Sequence, residues 1–188
     1  MATVFHHNNI ASFARSSECT ACMACFDTCP HAAISYTIDR NGFLRMSVDS
    51  NRCTGCGACR KSCPGLNGKR YGESEIAKAF AGWNNDEKQR QSSASGGVFA
   101  ALATYVLQSG GLVYGAAIHG FEIKHIRVNN LENLHNLQNS KYQHSITAGV
   151  YNQVKKDLKQ GKTVLFSGLG CQIAALYAYL HYTTTFIQ

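Results

Sequence analysis

No apolar run in this 188-residue chain approaches the roughly 18 residues that a membrane-spanning helix needs; the nearest is Val98–Leu107. A helical membrane span is therefore not expected. The opening "MATVFHHNNIASFARSS" has no apolar core of a secretion signal, so an oxidising compartment is not expected either. Acidic side chains are scarce, 11 against 18 basic ones, giving a formal charge of +7. Yet the lysines and arginines are scattered, with no basic helix and no aromatic-basic alternation, which argues against a nucleic-acid partner. Proline occurs only at 2 positions, and each follows a cysteine directly.

Cysteine is what the chain has. Cys19, Cys22, Cys25 and Cys29 precede Pro30, and Cys53, Cys56, Cys59 and Cys63 precede Pro64. Both runs share one spacing, C-x2-C-x2-C-x3-C-P. Disulfides need no regular spacing, and structural zinc uses two C-x2-C pairs, which leaves the third cysteine of each run surplus. Three thiolates at this spacing can wrap one face of a cubane cluster, with the fourth supplied from elsewhere. The spacing thus favours two [4Fe-4S] clusters over zinc or disulfides. Eight thiolates and two oxidised cores would lower the formal charge to about +3, which further weakens a nucleic-acid reading.

Residues 15–66 resemble the bacterial dicluster ferredoxin domain on these motifs. The resemblance implies one cluster on Cys19, Cys22, Cys25 and Cys63, and another on Cys53, Cys56, Cys59 and Cys29. Between the runs, Ala33–Asp49 is expected to form a β-hairpin that turns at Arg40-Asn41-Gly42. Small residues in the loops (Ala21, Ala24, Thr54, Gly55, Gly57, Ala58) leave room for amides to approach sulfur.

Residues 67–76 are polar and glycine-containing and read as a linker. From there the pattern predicts alternating strands and helices: a strand at 76–83, a helix from Ser95 to Gly110-Gly111, and strands at Leu112–Ile118 and His125–Asn129. A short helix near 130–140, a helix ending at Gly161, a buried strand at 162–168 and a last helix from Cys171 follow. Val98, Phe99, Leu102, Tyr105 and Val106 are expected on one buried face, and Val150, Val154 and Leu158 on another. The expected fold class is α+β, a ferredoxin-like dicluster domain (residues 1–70) followed by an incomplete α/β domain (residues 77–188).

Three stretches in the second half carry chemistry. "SSASGGVF" puts hydroxyls and flexible backbone before a helix, an anion-binding arrangement. "NSKY" pairs a cation with a ring, and "LFSGLGCQIA" runs from strand to helix through Cys171, the one cysteine outside the two runs. "GLG" is no dinucleotide fingerprint, since G-x-G-x-x-G fails at Ile173. In this order the stretches resemble the N-terminal domain of the coenzyme F-420 hydrogenase/dehydrogenase beta-subunit family, over residues 77–180. The resemblance implies an FAD that exchanges electrons with the clusters and with a deazaflavin (coenzyme F-420) or another acceptor. It implies flavin contacts at Ser95, Gly96, Gly97, Lys141, Tyr142, Ser167, Gly168, Cys171 and Gln172. Where the family has Thr-Pro before Cys-Gln, this chain has Leu169-Gly170.

The family continues beyond the point where this sequence stops, so a truncated oxidoreductase is expected, with a redox protein or the absent C-terminal region as partner. The alternative is a ferredoxin-like carrier with an appended non-catalytic domain. A half-built site would expose Ile173, Leu176, Tyr177 and Leu180 as an apolar stripe. Oxygen-sensitive clusters imply a cytoplasmic setting.

Overall fold

The computed structural model describes residues 8–67 and 79–183, with side chains to residue 180. In chain order the elements are α1 (Ala24–Thr28), β1 (Ile34–Ile38), β2 (Leu44–Val48), α2 (Ala58–Lys61), α3 (Pro64–Asn67), α4 (Glu87–Gln91), α5 (Val98–Gln108), β3 (Leu112–His119), β4 (Glu122–Val128), α6 (Val150–Lys159), β5 (Val164–Phe166) and α7 (Gly170–Thr183). Short 3₁₀ turns lie at Phe13–Arg15 and Glu132–Leu137. Among the described residues no helix is long and apolar enough to cross a membrane.

The chain forms two compact units. Thr147–Asn152 and the described part of Leu169–Gln188 join the cysteine-bearing residues in one, and the intervening segments form the other. The units therefore do not follow the expected division at residue 77. The linker expected at 67–76 lies almost wholly outside the described residues.

In the cysteine-bearing unit, β1 and β2 pair antiparallel from Ile34↔Val48 to Ile38↔Leu44, the expected hairpin. Its turn is set by Asp39, whose carboxylate accepts the Asn41 and Phe43 amides (2.9 and 3.0 Å) and pairs with Arg45. Gly42 takes the left-handed φ of +82° that closes it. Its buried apolar residues include Ile10, Met23, Ala24, Ile34, Met46, Ala175, Ala178 and Leu180. α7 packs on α1 and α3. The stripe expected to lie bare is thus mostly covered: Leu180 is buried, Ile173 and Leu176 are half-buried, and only Tyr177 is exposed.

The second unit holds a three-stranded sheet in the order β4-β3-β5, with β3/β4 antiparallel and β3/β5 parallel. Of the strand expected at 76–83, the described residues 79–83 form none. α5 begins after Gly97 rather than at Ser95; Gly97 adopts the left-handed conformation and no side chain caps the helix. Its buried face is also not the expected one. Ala100, Ala103 and Leu107 face inward, Phe99 and Val106 pack at the margin, and Val98, Leu102 and Tyr105 are exposed. Beyond α5, a Cβ on Gly111 would sit 2.6 Å from Val106 Cγ1 and 2.8 Å from the Thr163 carbonyl oxygen, so this turn is tight enough to need glycine.

α6 departs from expectation in a similar way. Leu158 is 40% exposed, whereas Asp157 is buried, accepting a hydrogen bond from the Tyr114 hydroxyl and pairing with Arg127 at 3.0 Å. A buried carboxylate needs such partners, and their positions on β3 and β4 set the rotation of this end of α6. Burial and Asp157 together push the Tyr114 phenol well above its ordinary range. The segment expected as a helix near 130–140 is the 3₁₀ turn Glu132–Leu137, and β5 is half-buried.

Candidate iron–sulfur centre

Each cysteine run follows one backbone path. Ala21 and Met23 in the first run take φ of 51° and 64°, and Gly55 and Gly57 at the matching places take 70° and 75°. These left-handed residues turn the loop around its thiols and start the helices α1 and α2. The third cysteine of each run, Cys25 or Cys59, is then the second residue of its helix. The fourth follows the same helix: Cys29 is the C-cap of α1, and Cys63 comes just after the α2 C-cap. One helical turn carries it about 6 Å along the axis and away from its own loop.

The result is two cavities with crossed linings. One is lined by Cys19, Cys22, Cys25 and Cys63. The other is lined by Cys29, Cys53, Cys56 and Cys59. None of the nine cysteines is in a disulfide. Among the described residues, no three His, Cys, Asp or Glu side chains converge tightly enough to hold a single metal ion. The thiols surround a space instead of a point, which suits a polynuclear cluster.

Donors around the sulfurs fit the same group. The Ala33 amide donates to Cys29 Sγ at 3.3 Å and Asn9 Nδ2 to Cys53 Sγ at 3.5 Å. Burial pushes the Cys22 thiol up to about 11, against a downward pull from the Ala24 amide. It also raises Cys25 well above its usual value, and raises Cys59 and Cys63 despite neighbouring amides. At neutral pH these thiols keep their protons unless a cation displaces them, so loading a metal releases protons here.

The first cavity has a feature that sequence reasoning missed. Thr147 Oγ1 and Tyr151 Oη both donate to the Cys22 carbonyl, at 3.0 and 2.7 Å. Asp27, at the end of α1, accepts the Gly149 and Asn152 amides and so caps the start of α6. Cys171, at the start of α7, lines the cavity together with the four cysteines. The ninth cysteine, outside the two runs, was the available signal, but its distance along the chain hid its place. On the second cavity, Cys56 is exposed.

The residues expected to contact a flavin are not gathered in one place. Ser95, Gly96, Gly97 and Ser167 line an open cavity in the second unit, beside the N-terminus of α5. Gly168 is absent from that lining. Lys141 bends back, its amine donating to the carbonyls of Asn136, Gln138 and Asn139, and Tyr142 is 99% exposed. Cys171 and Gln172 belong to the cysteine-bearing unit; Gln172 is fully buried and its Oε1 accepts the Leu169 amide. Behind Ser167, His125 donates from Nε2 to its carbonyl at 2.9 Å, accepts from Ser145 at Nδ1, and stacks on Phe166.

Two family models, each described as a 4Fe-4S dicluster domain, match residues 18–65 and 45–95. No curated protein matches the chain. The two matches contain all eight cysteines of the two runs and support an iron–sulfur electron-transfer role.

Proposed function

We propose that the chain relays electrons through two [4Fe-4S] clusters, one on Cys19, Cys22, Cys25 and Cys63 and one on Cys29, Cys53, Cys56 and Cys59. The observation that carries this is the crossed lining of the two cavities, each holding three cysteines of one run and the fourth of the other. Each cluster, when bound, takes up and releases one electron. The protein supplies the thiolates, the amides that donate to sulfur, and apolar walls that exclude water; each of these acts on the potential. Anaerobically purified protein should contain about eight iron and eight acid-labile sulfide per chain. Zinc near two per chain with no sulfide would overturn the assignment.

A second reading rests on the cavity beside α5, whose glycines and helix N-terminus suit a phosphate-bearing cofactor. FAD held by Ser95, Gly96, Gly97 and Ser167 would couple two-electron chemistry to the one-electron clusters. Lys141 contributes only if its amine leaves three carbonyls, and Cys171 and Gln172 are withdrawn from this set. The coenzyme F-420-type oxidoreductase reading, with residues 77–188 as its domain, depends on that cofactor. Acid extraction that releases no flavin from cluster-loaded protein would leave the carrier reading.

A further inference from the structure

We infer that Cys171 is a reserve ligand of the first cluster, able to replace Cys63; the inference rests on the cluster assignment proposed above. Three of the four assigned ligands, Cys19, Cys22 and Cys25, come from one continuous loop, so three irons are served locally. The fourth iron depends on a thiol brought from elsewhere in the chain. Two such thiols line the first cavity, Cys63 and Cys171. Cys63 stands directly before α3, and Cys171 is the second residue of α7. α3 and α7 pack against one another, and both Gly65 and Ala174 of these helices also line the cavity. Cys171 is half-buried and stands in no disulfide.

The exchange needs no oxidant. The iron–sulfur bond to Cys63 breaks, a bond to Cys171 forms, and the Cys171 proton passes to the departing Cys63 thiolate. Iron keeps its oxidation state throughout. This gives a thiol far outside the two runs a function that their spacing alone does not suggest.

The test compares Cys171→Ala, Cys63→Ala and the double variant, as cluster-loaded full-length protein, by iron content and electron paramagnetic resonance. Cys171→Ala should keep the wild-type iron content. Cys63→Ala should also keep both clusters, with an altered signal from one, and the double variant should lose about half the iron. Cys171 should react with iodoacetamide in the wild type and be protected in Cys63→Ala. Equal iron loss in Cys63→Ala and the double variant overturns the inference, as does loss of half the iron in Cys171→Ala alone. Should Cys63→Ala not fold, release of the first cluster to a chelator decides: it should be severalfold faster in Cys171→Ala than in wild type, and an unchanged rate overturns the inference. A wild-type chain without about eight iron would instead defeat the underlying assignment.

Discussion

At the scale of single residues, the two cysteine loops solve one geometric problem with different side chains. The second loop uses glycine at both left-handed positions, whereas the first uses Ala21 and Met23. A side chain there costs about 1–2 kcal/mol. Ala21→Gly is accordingly expected to be neutral or to stabilise by up to about 1 kcal/mol. Gly57→Ala should destabilise by about 1–2 kcal/mol, because its φ is +75° and the added Cβ would sit 2.6 Å from Asn8 Nδ2. Anaerobic denaturation midpoints check both; equal losses would contradict the matched backbone paths. Met23 offers no such gain, since it is fully buried and glycine would leave a hole. His125 gives a pH-dependent test. Burial holds its pKa below 6.5, against the pull of the Ser167 carbonyl and with a further push from His144. The unfolded chain therefore takes up this proton first on acidification. Its stabilising contribution is complete above pH 6.5 and declines as pH falls through the folded value. The stability difference between wild type and His125→Gln should shrink over that interval, and a constant difference would count against it.

At the scale of elements, the segment 147–152 acts on the first cluster loop through one carbonyl. Removing a single donor, as in Tyr151→Phe, leaves Cys22 bonded to Thr147 and should cost about 1 kcal/mol. Combining it with Thr147→Val deprives the Cys22 carbonyl of both donors, and the first cluster should then decay faster in air while the second is unaffected. Cluster-resolved electron paramagnetic resonance distinguishes the two. None of this was legible in the sequence, whereas the cysteine runs and the hairpin were, because spacing and an Asn-Gly turn are local signals. Helix existence was also local and legible in α5, α6 and α7. Which face each helix buries was not. In α5 the large residues Val98, Leu102 and Tyr105 marked the wrong side, since periodicity cannot tell that Ala100, Ala103 and Leu107 are the ones buried. The contact of α7 with α1 and α3 depends on residues more than a hundred positions apart, beyond the reach of any pattern.

At the scale of the whole molecule, charge depends on cluster content. The bare chain has a formal charge of +7, and loading eight thiolates with two oxidised cores brings it to about +3. Cluster-loaded protein should therefore leave a cation exchanger at lower salt than the stripped chain, and identical elution would mean that the thiols are not the ligands.

The crossed cavities also impose an order in time. The first cavity is begun earliest as the chain is synthesised, because Cys19, Cys22 and Cys25 emerge first. It cannot have its fourth assigned ligand until Cys63 follows, and that same stretch brings the last ligands of the second site. Neither cluster is complete before the other has nearly all its thiols, so a nascent chain halted between the runs has two unfinished sites. The two hydroxyls on the Cys22 carbonyl arrive only after most of the second unit has been made, and the lining that Cys171 adds comes after all of it. The site started first is finished last, and until then its iron faces whatever oxygen the cell admits.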